Sequence, residues 1–301
     1  MARPAPAPSG RVRGPVPPAL CLGGLDPSGG AGLLRDVATL VALGVHPMAL
    51  CTADTVQNGA GCLRIQAPSD PLPGLEALAP HLAGPWGVKL GLCALPPASL
   101  AALLARIEAL APVARIWDPI LAPTAGVGLH SADRLRAMAA TLLAPGGWVV
   151  SPNLPEAAAL AGPAAATPRD LAQPFLDLGA EAVWLKGGHG QGPVLEDFWI
   201  TADGVLGLGR ARRLPGDRRG TGCTLAAAWL AWRLRGRSGP DAARAAARYL
   251  RAHWEPGIQP GGFGRPCFGP ARIGRSRPAG DAAGVPPSDP SGRQQQDMST
   301  R

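Results

Sequence analysis

The chain has 301 residues, 46% of them hydrophobic, and 29 Lys and Arg against 21 Asp and Glu, for a net charge of +8. That length suits one large α/β domain or two small ones. The excess charge sits in tails (three arginines and no acid over residues 1–18, six arginines and three aspartates over 265–301) with neither aromatic interleaving nor a dense basic block, so no nucleic-acid partner is expected. No apolar run reaches the roughly 18 residues of a membrane span and the start lacks a signal-like apolar stretch, so no membrane partner is expected and the location is expected to be cytoplasmic.

Residues 1–18 are rich in Pro, Arg and Ala and are expected to be disordered. ALCLGG (19–24) reads as a buried strand, and after a DPSGGAG loop LLRDVATLVALG (33–44) has helical spacing with Gly44 as its stop. A strand follows over 46–58, a helix over 70–84, a strand over 86–94, a helix over 96–110 and a strand over 114–121. The spacing then predicts a Ser-capped helix over 131–144, a strand over 147–153, helices over 154–162 and 169–179, and a strand over 182–188. Edge strands over 196–201 and 209–216 and helices over 221–235 and 240–254 complete the pattern, with a Pro/Ser/Gly/Gln-rich tail from 274. Strands alternating with helices predict an α/β fold of three α/β/α layers around a mostly parallel sheet, spanning residues 19–273. Ligands in such sheets bind beyond the carboxyl ends of the strands, where DPSGGAG, QNGAG, DPILAPTAG, PNLPE, KGGHG and GTGCT all fall.

The six cysteines form no CxxC pair and no Cys/His cluster of zinc spacing. Cys21, Cys51 and Cys93 lie in apolar runs and read as buried thiols. Cys223 is different. GTGCT opens a helix, whose free N–H groups and positive dipole end bind anions and favour a thiolate. That suits phosphoryl transfer, which is mostly positioning and charge stabilisation; the plainer alternative is a tight helix start with a small residue packed inward.

Among the 29 cations only Lys89 and Lys186 are lysines, which suggests that an ammonium is needed at each place. Lys186 ends a strand before two glycines and suits a nucleotide phosphate. Asn153 and Glu156, three apart at a strand-to-helix junction, either face one Mg²⁺ or form an ordinary N-cap; Asp118 ends another strand and is a candidate for the same metal. Gln57 and Asn58 offer amides for a heterocycle, or simply tie down a loop.

GLDPSGGAGLLRD, TADTVQN, VKLGLCA, WDPIL, SPNLPEAAAL, VWLKGGHG and LPGDRRGTGCTLAAA, in this order, resemble the hydroxymethylpyrimidine/phosphomethylpyrimidine kinases of thiamine biosynthesis, in the ribokinase-like superfamily. The resemblance implies ATP-dependent phosphorylation of 4-amino-5-hydroxymethyl-2-methylpyrimidine and then of its monophosphate. Gly24, Asp36 and Gln57 would line the pocket of this small-molecule substrate. Asp118, Asn153 and Glu156 would organise Mg²⁺ and ATP phosphates, with Asp118 and Glu156 as metal ligands. Lys186 would meet a nucleotide phosphate, and Gly220, Thr221 and Gly222 would form the anion hole. Cys223 would stand as the base where most of the superfamily has an aspartate, and a homodimer is implied. Two positions depart from the family's pattern: Thr124 replaces an expected lysine, and Arg219 stands where His is common and suits a phosphate contact. Pyridoxal/pyridoxine kinases share the fold and are the alternative, as is a pyrimidine-binding protein with weak turnover.

Overall fold

The computed structural model describes residues 16–121, 131–190, 192–255 and 257–269; Thr124 and the tail beyond lie outside them. Alternation within the strands sets the layers. In β1 (Pro18–Leu25), Leu20 and Leu22 enter one core while Ala19 and Cys21 enter a second on the opposite face of the sheet. The first core lies under α2 (Leu72–Leu78), α3 (Pro97–Ala109), α4 (Ala132–Leu143), α5 (Leu154–Ala161) and α6 (Pro168–Asp177), through Leu75, Leu103, Leu135, Leu160 and Phe175. The second lies under α1 (Gly32–Ala42), α7 (Thr221–Leu234) and α8 (Gly239–Ala252), through Leu40, Trp229 and Ala242. This is the expected three-layer α/β/α arrangement.

The strands are β1, β2 (His46–Gln57), β3 (Cys62–Gln66), β4 (Gly87–Leu90), β5 (Ala114–Trp117), β6 (Val149–Val150), β7 (Ala182–Leu185), β8 (Val194–Thr201) and β9 (Gly204–Arg212). Their order across the sheet is β3-β2-β1-β4-β5-β6-β7-β8-β9. The strands from β2 to β7 run parallel, and β3, β8 and β9 are antiparallel additions at the two edges. A small antiparallel pair, β10 (Gly257–Ile258) and β11 (Cys267–Phe268), follows α8.

Several boundaries differ from the sequence expectation. β3 was not expected at all. The helix expected over 70–84 is α2 continued by a 3₁₀ turn, Ala79–Leu82. β6 pairs over only two residues, and the last edge strand starts at Gly204 rather than 209 because a tight turn joins it directly to Thr201. Cys51, expected to be buried, is half-buried at the rim of the second core, next to the sheet edge, whereas Cys62 and Cys267 are buried. Among the described residues no helix is long and apolar enough to cross a membrane.

Candidate active site

The carboxyl ends of the parallel strands and the start of α7 enclose a cavity of about 570 Å³. Gly24, Asp36, Gln57, Asp118, Asn153, Glu156, Lys186, Gly220, Thr221, Gly222 and Cys223 all line it. The sheet thus brings these residues together, although the chain spreads them over some two hundred positions; Asn58 is not among them, and its side chain instead ties down its own loop by accepting from Ala60 N and Gly61 N.

At one end, Lys186 Nζ donates to Asp118 Oδ1 at 2.6 Å, and both side chains are buried. Ser151 Oγ bonds the same carboxylate oxygen at 3.3 Å. Asn153 caps α5: its side chain accepts from Glu156 N at 2.9 Å, and Glu156 Oε2 accepts from Asn153 N at 2.8 Å. The N-cap alternative for this pair is therefore realised. Burial, opposed by Lys186, pushes the Glu156 carboxyl up to about 7, and the nearby Asp118 adds to the rise. Burial works against the Lys186 charge, but Asp118 and Glu156 outweigh it and hold the ammonium above its usual range.

The start of α7 meets this cluster directly. Gly220 has φ 80°, and a Cβ there would run into the carbonyl oxygen of Gly30. A Cβ on Gly222 would stand 3.0 Å from Asp118 Oδ2 and 3.6 Å from Lys186 Nζ. The backbone N–H groups of α7's first turn, which lack intrahelical partners, therefore open beside an ammonium and a carboxylate.

At the other end, Lys89 Nζ donates to Asp36 Oδ2 at 2.6 Å, while Asp36 Oδ1 is buried with no hydrogen-bond partner. Burial, partly offset by Lys89, pushes Asp36 up to about 6, so at neutral pH the carboxylate is ionised against the lysine. Gln57 stands at the end of β2, its Oε1 3.5 Å from Thr55 Oγ1.

Cys223 lies between the two ends, where the backbone of Gly32, at the start of α1, only slightly favours its thiolate. The expectation of a favoured thiolate is corrected here. Burial pushes the Cys223 thiol up to about 11, against the pull of Lys89, and Asp36 and Asp118 add to the rise. A helix-start field is worth less than the desolvation of a buried sulfur.

Arg219, expected to suit a phosphate, is committed elsewhere: its guanidinium bonds Asp26 Oδ2 at 2.6 Å and Ser28 Oγ at 2.8 Å. Sequence reasoning did not place Lys89, although its rarity singled it out, nor Asp197. Asp197 lines the cavity and accepts from Gly187 N at 2.8 Å and Trp184 Nε1 at 3.1 Å.

Among the described residues no group of three His, Cys, Asp or Glu side chains is placed to hold a metal. Mg²⁺ does not require one, since it is usually held by one or two carboxylates, waters and substrate phosphates. Asp118 and Glu156 fit that mode: Asp118 lies close enough to disfavour the charge on Glu156.

A family model described as phosphomethylpyrimidine kinase matches residues 26–267. The hydroxymethylpyrimidine/phosphomethylpyrimidine kinase of Rhizobium meliloti is 35% identical over 250 residues, 78% of this chain and 89% of the relative. That of Streptomyces coelicolor is 33% identical over 264 residues, 82% and 93% of the two chains. Among solved structures, the pyridoxal kinase of Staphylococcus aureus in complex with AMP-PCP and pyridoxal superposes with a TM-score of 0.70 at 24% identity, covering 86% of this chain and 96% of its own. The phosphomethylpyrimidine kinase of Clostridium difficile gives 0.66 at 24% identity, covering 79% and 100%. At such identities the superpositions establish the ribokinase-like fold.

Proposed function

The chain belongs to the phosphomethylpyrimidine kinase family, and on that premise we propose that it transfers the γ-phosphoryl group of ATP to 4-amino-5-hydroxymethyl-2-methylpyrimidine and then to the monophosphate. The observation that carries this reading is the shared cavity: the donor turn of α7, the Lys186–Asp118–Glu156 cluster and the Asp36–Gln57 wall all line one space.

The residues divide the work by chemistry. The N–H groups of Gly220, Thr221 and Gly222 receive the charge of the transferred phosphoryl. Lys186 bonds a nucleotide phosphate, exchanging part of its contact with Asp118. Gly24 lets the substrate approach the backbone, Asp36 Oδ1 accepts from the pyrimidine amine, and Gln57 reads the ring. Asp118 and Glu156 hold Mg²⁺, with Asn153 fixing Glu156 through the cap; the ion supplies neutralisation of phosphate charge when bound. Cys223 sits against the hydroxymethyl oxygen and takes its proton as the thiolate, which at pH 7.5 costs about 5 kcal/mol for a thiol near 11.

The same reading carries a 19–273 kinase domain between tails without a catalytic role, a homodimer and a cytoplasmic location. Deleting residues 276–301 should leave the rate unchanged, and sedimentation tests the dimer.

The deciding experiment is Mg²⁺-dependent ATP turnover with three acceptors. Turnover of the pyrimidine alcohol and its monophosphate is the expected result. Turnover of the alcohol alone removes the second step, and pyridoxal as best acceptor overturns the substrate assignment. Pyrimidine binding with only trace turnover makes the chain a binding protein.

A further inference from the structure

Arg219 and Asp26 are 193 residues apart in the chain and form a buried ion pair at the wall of the cavity, with Arg219 5% and Asp26 2% exposed. Both oxygens of the Asp26 carboxylate and both terminal nitrogens of Arg219 are engaged. Asp26 Oδ1 accepts from Ser28 N at 3.0 Å and Ser28 Oγ at 2.7 Å, and Oδ2 accepts from Ala31 N at 2.9 Å besides Arg219. The second arm of Arg219 bonds Ser28 Oγ, and its backbone N–H donates to Pro266 O at 2.9 Å. The side chain thus ties the turn that opens α7 to the loop between β1 and α1, and the backbone of the same residue adds a bond to Pro266, just before β11.

The next residue along is Gly220, whose backbone touches Gly30. On one side of this contact are the N–H groups assigned to the phosphoryl; on the other is the loop between β1, which carries Gly24, and α1, which carries Asp36. Phosphoryl transfer depends on the distance between those two sides, because its catalysis is positioning and charge stabilisation.

We propose that Arg219 is a positioning residue: clamped to Asp26 and Ser28, it fixes the donor turn 220–222 against the acceptor loop 26–31 and so sets the gap across which the phosphoryl moves. It does not touch the phosphoryl itself. This rests on the kinase reading above.

The test compares Arg219→Met, Arg219→Lys and the double variant Asp26→Asn/Arg219→Met, which removes both charges and so avoids an unpaired buried carboxylate. With the pyrimidine alcohol as acceptor, Arg219→Met should lose about 100-fold in kcat, the order expected when reacting groups are misplaced by an ångström. KM for ATP should stay within about threefold. Arg219→Lys, which keeps one charged contact, should recover part of kcat. The double variant should melt close to wild type yet keep kcat depressed, since a neutral pair does not rebuild the clamp.

Recovery of kcat in the double variant to within about twofold of wild type would overturn the proposal, as would a loss confined to KM. Wild-type protein inactive on every acceptor would instead refute the kinase reading. The clamp is then judged by amide hydrogen exchange: Arg219→Met must speed exchange of residues 28–32 and 220–223 at least tenfold while the rest of the sheet is unchanged. Unchanged exchange there sinks it.

Discussion

Lys89 Nζ stands 2.6 Å from Asp36 Oδ2, and both side chains are buried. Removing the lysine strands a buried carboxylate, whose other oxygen already lacks a partner. Lys89→Met should therefore cost about 3–5 kcal/mol of unfolding free energy at pH 7.5 in urea. The loss should shrink toward pH 5, where the carboxyl escapes by taking a proton. A cost below about 1 kcal/mol would mean that water reaches the pair.

Cys223 gives a pH prediction. Its folded value, near 11, lies above the ordinary 9.0, so between these values the folded protein holds a proton that the unfolded chain has lost. Its contribution to stability is whole below pH 9 and is lost as pH rises through 11. For the same reason alkylation of Cys223 by iodoacetamide should climb about tenfold per pH unit from 7 to 10. If the thiolate is the base, log kcat should rise with a slope near one from pH 6.5 to 8.5. A flat profile removes the base role, and so does wild-type-like turnover in Cys223→Ala.

What could be read from the sequence follows from the range of each interaction. The parallel strands, the Ser131 and Asn153 caps and, among the described residues, the ligand loops are set by neighbours within a few residues, and these appear. β3 escaped because it is short and its large apolar residues do not enter the core, Leu63 being exposed and Ile65 half-buried. The helix start beneath Cys223 was visible, but the enclosure that overrides its field is made by distant segments. The Asp26–Arg219 pair joins opposite ends of the domain, and no periodicity announces it.

Glu156 opposes its own burial. Its folded value of about 7 stands above the ordinary 4.5, so the folded state binds the extra proton between these values. Stability from this group is present below pH 4.5 and lost as pH rises through 7. Glu156→Gln keeps a capping side chain but carries no charge. It should stabilise the ligand-free protein by about 1–3 kcal/mol at pH 8, with no gain at pH 4.5, as read by thermal and urea unfolding. The same change should raise the Mg²⁺ concentration needed for half-maximal turnover at least tenfold. Stabilisation without that shift would move the metal away from Glu156.

Gln57 tests the acceptor end of the cavity. Its side chain is only partly buried, and its nearest protein partner is a weak contact with Thr55 at 3.5 Å, so little of the fold depends on it. Gln57→Ala should change unfolding free energy by less than about 0.5 kcal/mol. Losing one or two hydrogen bonds to the ring should weaken binding of the pyrimidine alcohol about tenfold, from roughly 1–1.5 kcal/mol. ATP should bind as before, because the nucleotide contacts lie at the Lys186 end. Calorimetric titration with each ligand separates these effects. An unchanged pyrimidine affinity would place the ring away from β2 and leave Asp36 without the substrate role argued above.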